Sequence, residues 1–293
     1  MNIELKSNSM VATIETKGAE LISLKNSLGF EYMWQKDAKY WNRCSPVLFP
    51  IVGNLRNNKT IIDGNEFTLA KHGFCRDAEF IVEFQSENKV VLTYTYNEET
   101  LAQYPYKFSL SLSYTLQDNN LNIEYIVKNL DDKAIDYCLG AHPAFNIPIE
   151  GNDIFEDYCL EFNKSEPVGC PVYDLEKLQI DVNNRVKFVD ENNRIMLKYH
   201  LFDQDAIMFD QINSDSVKLY STKTGKGVQV DYQGFDAIAF WTPTKMDAPF
   251  LCIEPWNGMA ICSDEDDNFT SKRGVKHLEL NQQHSYQLTI LPL

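Results

Sequence analysis

Apolar and polar residues alternate with a period of two through much of the chain. The run Leu110 to Gln117 is followed by Asp118-Asn119-Asn120 and then by a second alternating run, Leu121 to Asn129. Two such runs around an Asp/Asn turn predict a β-hairpin with one buried face. Similar runs from Val90 to Tyr96, Val217 to Tyr220, Val228 to Tyr232, Ala237 to Trp241 and Tyr286 to Leu291 predict further strands. Leu21 to Leu24 and Glu31 to Trp34 predict another hairpin, turning at Ser27-Leu28-Gly29. Helical signal is sparse. Asn97 can cap a segment carrying Glu98 and Glu99 in its first turn, and Pro105 ends it after about two turns. Asp37 to Trp41 predicts a second short helix. The most polar region, Gly151 to Asn193, is interrupted by Tyr158-Cys159-Leu160-Glu161-Phe162 and predicts long loops and edge strands. No linker, low-complexity tract or internal repeat divides the chain. Many strands and few helices over 293 residues predict one all-β domain, residues 1–293, built as a large antiparallel β-sandwich.

Composition narrows the partners. Hydrophobic residues make up 44% of the chain and aromatics 12%, enough for a substantial core. The formal charge of −15 argues against nucleic acid and anionic membrane surfaces, which both require a positive field. No apolar run approaches the ~20 residues of a membrane helix. The N-terminus has no apolar segment of the kind a signal peptide carries. The seven Cys are scattered without a C-x-x-C pair, as expected for free thiols in a reducing cytoplasm rather than a zinc ribbon.

Candidate chemistry concentrates in three places. His142 lies in Gly140-Ala141-His142-Pro143, where a strand-like run ends, and strand ends commonly carry sites. A His there can equally be a structural residue bonded to a carbonyl. His72 precedes Gly73, which permits close backbone approach or an unusual dihedral. Glu254 follows the apolar strand Phe250-Leu251-Cys252-Ile253 and precedes Pro255-Trp256, so it is expected at that strand's end. A carboxylate beside Trp and Pro can be partly desolvated and gain basicity. Asp205 opens the strand Ile207-Met208-Phe209, where a turn-capping role is the plainer alternative. Arg76-Asp77 reads as a surface ion pair. The chain contains no G-x-S-x-G, P-loop, G-x-G-x-x-G or H-E-x-x-H motif.

Phe49-Pro50 through Asn54, His72-Gly73-Phe74, Gly140-Ala141-His142-Pro143, Asp205 and Ile253-Glu254-Pro255-Trp256, in this order, resemble the aldose 1-epimerase (galactose mutarotase) family over nearly the whole chain. The resemblance implies a β-sandwich of the galactose mutarotase type and interconversion of the α and β anomers of a free hexose. It implies Glu254 as general base, His142 as general acid, and His72 and Asp205 as sugar-binding residues, with Trp256 available to pack on the sugar. The family carries an Arg near the position of Asn54. This chain has Asn there, and strict alternation would put Arg56 on the same face as a substitute.

Ring opening requires loss of the C1-hydroxyl proton and gain of a proton at the ring oxygen, which one base and one acid can supply without metal or redox cofactor. A bell-shaped pH profile follows, its alkaline limb set by His142. Asn54 also motivates a catalytically weak sugar-binding protein on the same fold. A sugar-phosphate 1-epimerase is a further alternative, with Arg56, Lys71 and Arg76 gripping the phosphate. A glycosidase using Asp205 and Glu254 is the remotest, because it needs a carboxylate pair at a suitable separation.

Overall fold

The computed structural model of the protein describes residues 1–149 and 151–293. Strands dominate, and among the described residues the single α-helix, Glu98–Leu101, is one turn long. Among the described residues no helix is long and apolar enough to cross a membrane. All pairings between named strands are antiparallel. The larger sheet has nine strands. Its centre is Gly227–Gln233, Gln283–Pro292, Asn120–Asn129 and Phe108–Gln117, and its edges are Arg194–Met196 and Ile81–Gln85. The smaller sheet runs in the order Ile207–Phe209, Ala237–Trp241, Phe250–Asn257, Leu139–Ala141, Val47–Leu48. Ala144–Asn146 also pairs with Phe250–Asn257.

The alternating hairpin forms as its pattern predicts. Phe108–Gln117 and Asn120–Asn129 pair in full register around Asp118, whose positive φ of 52° closes the turn. Leu110, Leu112, Tyr114 and Leu116 share one buried face with Leu121, Ile123, Tyr125 and Val127. That face meets the smaller sheet, as where Phe49 packs on Phe108 and Phe162 on Phe240. The two sheets thus enclose one extensive core, a sandwich.

Several local expectations are corrected. Asp37 to Trp41 is a single turn, in which the N–H groups of Tyr40 and Trp41 both donate to the carbonyl of Asp37. Leu21 to Leu24 pairs mainly with Met10–Glu15, and the predicted hairpin with Glu31 to Trp34 forms only near its turn, through the Lys25–Glu31 bridge and the bonds from Asn26 N–H to the Phe30 carbonyl and from Tyr32 N–H to the Leu24 carbonyl. The polar region is more structured than loops and edges. Tyr158–Phe162 lies inside the nine-stranded sheet, and Cys170–Asp174 pairs with Gln179–Val186 as a separate hairpin.

Strand Phe250–Asn257 is buried on both faces, which explains the unbroken apolar run Phe250 to Ile253 at its start. Leu251 and Ile253 point into the core between the sheets. Phe250, Cys252, Glu254 and Trp256 occupy the opposite face by period-2 alternation. That face is sparsely filled, because Ala239 sits across from Glu254, Ala237 across from Trp256, and Gly140 on the other side of Trp256. A Cβ at Gly140 would meet Trp256 Cδ1 at 2.7 Å. Small residues facing large ones leave a hollow on the outer surface of the smaller sheet.

Candidate active site

The hollow is a cavity of about 260 Å³. It is lined by six of the seven residues expected at the site: Asn54, His72, His142, Asp205, Glu254 and Trp256. Arg56 is absent from it. After Leu55 the chain enters the 3-10 turn Arg56–Asn58, where Asn57 has φ 54°, so strand alternation does not extend to Arg56. Its guanidinium lies 2.6 Å from Asp267 instead. Asn54 keeps its place in the wall by donating to the Leu178 carbonyl at 2.8 Å and accepting from the Tyr173 hydroxyl at 3.1 Å.

Glu254 and His142 meet through a cross-strand register. Leu139 pairs with Asn257, Gly140 with Trp256, Ala144 with Cys252 and Phe145 with Leu251. One register therefore continues on both sides of an interruption, and it places His142 opposite Glu254. The interruption carries Pro143 on one strand and Pro255 on the other. Pro has no N–H to give to a ladder, and Pro255 stands opposite Ala141, which pairs with Val47 on its other side and not with Pro255. Glu254 is therefore mid-strand, with Ala239 as its partner on the other side, and not at the strand's end as its sequence context suggested.

His142 Nε2 lies 3.0 Å from Glu254 Oε2. Both residues are buried, at 7% and 1% exposure. The approach lacks the alignment of a hydrogen bond, and neither Glu254 Oε2 nor His142 Nδ1 has another partner among the described residues. Two polar atoms are thus buried and unsatisfied in one place, a costly arrangement unless a ligand completes it. Burial raises the pKa of Glu254, and the nearby imidazole offsets part of that rise. The His142 ring is stacked on Trp41, with centroids 4.8 Å apart and planes at 28°, and meets Trp241 edge-on at 5.8 Å.

His72 adopts a left-handed φ of 68°. Gly73, at φ 72°, follows so close to Phe49 that a Cβ would fall 2.1 Å from its carbonyl oxygen. This contact fixes the loop carrying His72. The Gly53 N–H donates to His72 Nδ1 at 3.1 Å. Burial, then the charges of His142, Lys71, Arg76 and Arg43, depress its pKa well below the ordinary imidazole value. A neutral ring whose Nδ1 accepts must carry its proton on Nε2, which makes His72 a fixed donor.

Asp205 has φ 76°, and its carboxylate also accepts from the Ala206 N–H at 2.8 Å. Trp256 lines the cavity with its Nε1 unpartnered. Sequence reasoning passed over Trp41 and Tyr173, which reach the cavity from a turn and from the separate hairpin, neither bearing a motif. Arg76 also lines it and is no simple ion pair with Asp77. The two are 3.9 Å apart, and Asp77 is held instead by Arg43 at 3.0 and 3.1 Å.

Ligand atoms of His142, Cys252 and Glu254 lie within 4.8 Å of one another, the one such trio among the described residues. Burial pushes the Cys252 thiol well above its ordinary pKa, so metal binding there would first have to remove a tightly held proton. All seven Cys are buried and free.

The fold is a mostly-β sandwich in which a carboxylate and an imidazole are buried together beside two tryptophans. A family model described as aldose 1-epimerase matches residues 1–272, and the chain belongs to that family. It is 39% identical to the plasmid form of protein LacX from Lactococcus lactis subsp. lactis, over 99% of this chain and 100% of LacX. Among solved structures, a galactose mutarotase related enzyme from Lactobacillus acidophilus aligns with a TM-score of 0.93 at 31% identity, covering 100% of this chain and 97% of the other. A galactose mutarotase-like protein from Lactobacillus casei ATCC 334 aligns with a TM-score of 0.93 at 28% identity, covering both chains fully.

Proposed function

We propose that the protein is an aldose 1-epimerase that interconverts the α and β anomers of an aldohexose through acid/base-catalysed ring opening. The observation that carries this reading is the 3.0 Å opposition of Glu254 and His142, both buried and both incompletely partnered. The two oxygens that exchange protons, O1 and O5, are bonded to the same carbon, so base and acid must sit close together. Glu254 removes the O1 proton while His142 Nε2–H protonates O5. The C1–O5 bond breaks to give the open-chain aldehyde, C1–C2 rotates, and the reverse transfers close the ring on the other face of the carbonyl.

Each group is suited to its part. Desolvation makes Glu254 a stronger base than a surface carboxylate. The stacked Trp41 face fixes the plane of the His142 ring. His72, held as a neutral Nε2–H donor, and the Asp205 carboxylate position ring hydroxyls. The half-buried indoles of Trp41 and Trp241 offer apolar surface for the sugar's C–H faces.

NMR saturation transfer between anomers tests the reading. The protein should exchange hexose anomers well above the spontaneous rate, and Glu254→Gln and His142→Asn should each lose about 10³-fold. Anomer exchange surviving in Glu254→Gln would remove Glu254 as the base.

A further inference from the structure

Three groups with metal-binding lone pairs meet beside the cavity, and ring opening uses only two of them. Cys252 precedes Glu254 by two residues on one strand, so both side chains leave the sheet on the same face. Ala144 pairs with Cys252, and the same register sets His142 opposite Glu254. His142 and Cys252 are therefore diagonal neighbours across the two strands. One donor atom from each residue, an imidazole nitrogen, a thiol sulfur and a carboxylate oxygen, lies within 4.8 Å of the other two. The three residues His142, Cys252 and Glu254 are buried, at 7%, 0% and 1% exposure.

The set is open to a ligand. Glu254 Oε2 and His142 Nδ1 have no hydrogen-bond partner among the described residues. Cys252 is a free thiol packed with Trp34, Ala144, Ala248 and Phe250. His142 and Glu254 also line the cavity, which gives an ion its way in and leaves a coordination position for water. Two donors on one tetrahedral zinc stand about 3.5 Å apart. His142 and Glu254, at 3.0 Å, need only part slightly, and the Cys252 sulfur needs to swing in by at most about 1.3 Å. Charge also fits. A thiolate, a carboxylate and a neutral imidazole are neutralised by one divalent cation, and a neutral set is the one that apolar surroundings favour. The other charges that act on Glu254, Lys71 and Asp205, are of opposite sign and leave that balance in place. A sulfur and an imidazole nitrogen select Zn2+ or Cd2+ over Mg2+ and Ca2+, which take oxygen ligands.

We propose that His142, Cys252 and Glu254 form a site for a thiophilic divalent cation, Zn2+ foremost, and that the bound ion switches off ring opening. Binding sends the Cys252 thiol proton to solvent. The ion then holds the lone pairs of the carboxylate and the imidazole, so neither can take a proton from the sugar or deliver one to it. The metal site stands on the donor geometry alone, and the inhibition rests on the ring-opening reading.

Titrations of the intact, reduced protein with Cd2+ and Zn2+ test it. One equivalent of Cd2+ should bring up a thiolate-to-metal charge-transfer band in the ultraviolet. Zn2+ should bind one to one by calorimetry and lower anomer exchange of D-glucose or D-galactose in proportion to the ion bound. EDTA should restore exchange, and Mg2+ should have no effect. Cys252 takes no part in ring opening, so Cys252→Ala should exchange anomers like the wild type. It should lack the band and need about 100-fold more Zn2+ for the same inhibition, since even the outer partners of a metal ligand contribute about 10- to 100-fold. If Cys252→Ala fails to fold, Glu254→Gln decides: it keeps the thiol yet should bind Cd2+ more weakly by about tenfold or more. A band missing from the intact protein, or one unchanged in Cys252→Ala, overturns the site. Zn2+ bound there without loss of exchange overturns the inhibition. No exchange of either hexose by the metal-free protein overturns the ring-opening reading and the inhibition with it, while the band still decides the site.

Discussion

Two buried glutamates in this protein are held in opposite ways. Glu20, at 6% exposure, is fully engaged: Oε1 accepts from the N–H groups of Cys44 and Ser45 at 2.7 and 2.9 Å, and Oε2 pairs with Lys36 at 2.7 Å. Glu254, more deeply buried, receives no backbone N–H and meets only the unaligned His142. The first carboxylate joins the segment around Cys44 to its neighbouring sheet. The second is left with capacity to spare. Burial by itself therefore marks neither of them as functional. The distinction lies in whether the surroundings complete the carboxylate's hydrogen bonds or leave them for a ligand.

The comparison can be broken most directly by replacing each in turn. Glu254→Gln should lower kcat by about 10³-fold while leaving thermal stability equal or higher, since it removes a poorly compensated buried charge. Glu20→Ala should do the reverse. It strands two buried N–H groups and Lys36, at a cost of about 3 kcal/mol, while kcat stays within a few-fold of wild type below the unfolding transition. Thermal melts beside anomer-exchange rates would show it. A Glu254→Gln protein that melts much lower would mean that Glu254 is structural after all.

The pH dependence sharpens the contrast. The Glu254 pKa is raised in the folded state, so the folded protein keeps a proton that the unfolded chain has released. Stability should fall as pH rises from the ordinary Glu value toward the raised folded one, and Glu254→Gln should abolish that fall. The base is active only when ionised, so the acid limb of kcat should lie above the ordinary Glu range. His72 behaves oppositely. Its depressed pKa means that below about pH 6.5 the unfolded chain takes up a proton the folded ring refuses. Stability should decline on acidification through that range, and His72→Gln should flatten the decline. Denaturant titrations between pH 4 and 8 measure both effects; an unchanged profile in His72→Gln would remove the depressed imidazole as their source.

Trp41 ranks next. It has no motif around it, yet it stacks on His142 and walls the cavity. Trp41→Ala should lower kcat/KM by roughly tenfold, through lost sugar contact and a less firmly held His142 ring, as aromatic contacts of this kind contribute about 1 kcal/mol or more. A raised KM with kcat unchanged would assign Trp41 to sugar packing only.

How much of this was legible in the sequence follows from the range of each signal. The hairpin Phe108–Gln117/Asn120–Asn129 was plain because one face is buried and the other is not. Strand Phe250–Asn257 hid its length because both faces are buried, and Pro255 resembles a terminator. That proline sits where the ladder with the neighbouring strand breaks, between the Gly140–Trp256 and Ala144–Cys252 pairs, a fact about two segments more than a hundred residues apart. The paired prolines were visible, but their shared register was not. Trp41 and Tyr173 were silent for the same reason, since the turn and the hairpin that carry them are aimed by tertiary packing.

Arg56 gives the smallest expected effect and the cleanest test of that limit. Two-residue alternation from Asn54 placed it in the site, but the left-handed Asn57 sends the chain into a 3-10 turn and Arg56 pairs with Asp267. Both partners are about one-third exposed, so the ion pair is screened by solvent and contributes well under 1 kcal/mol. Arg56→Ala should therefore change stability by no more than about 0.5 kcal/mol and leave kcat/KM within twofold. A tenfold loss would mean that the turn opens and delivers Arg56 to the sugar when ligand binds. The local backbone, and not the missing Arg at position 54, would then be what controls substrate grip.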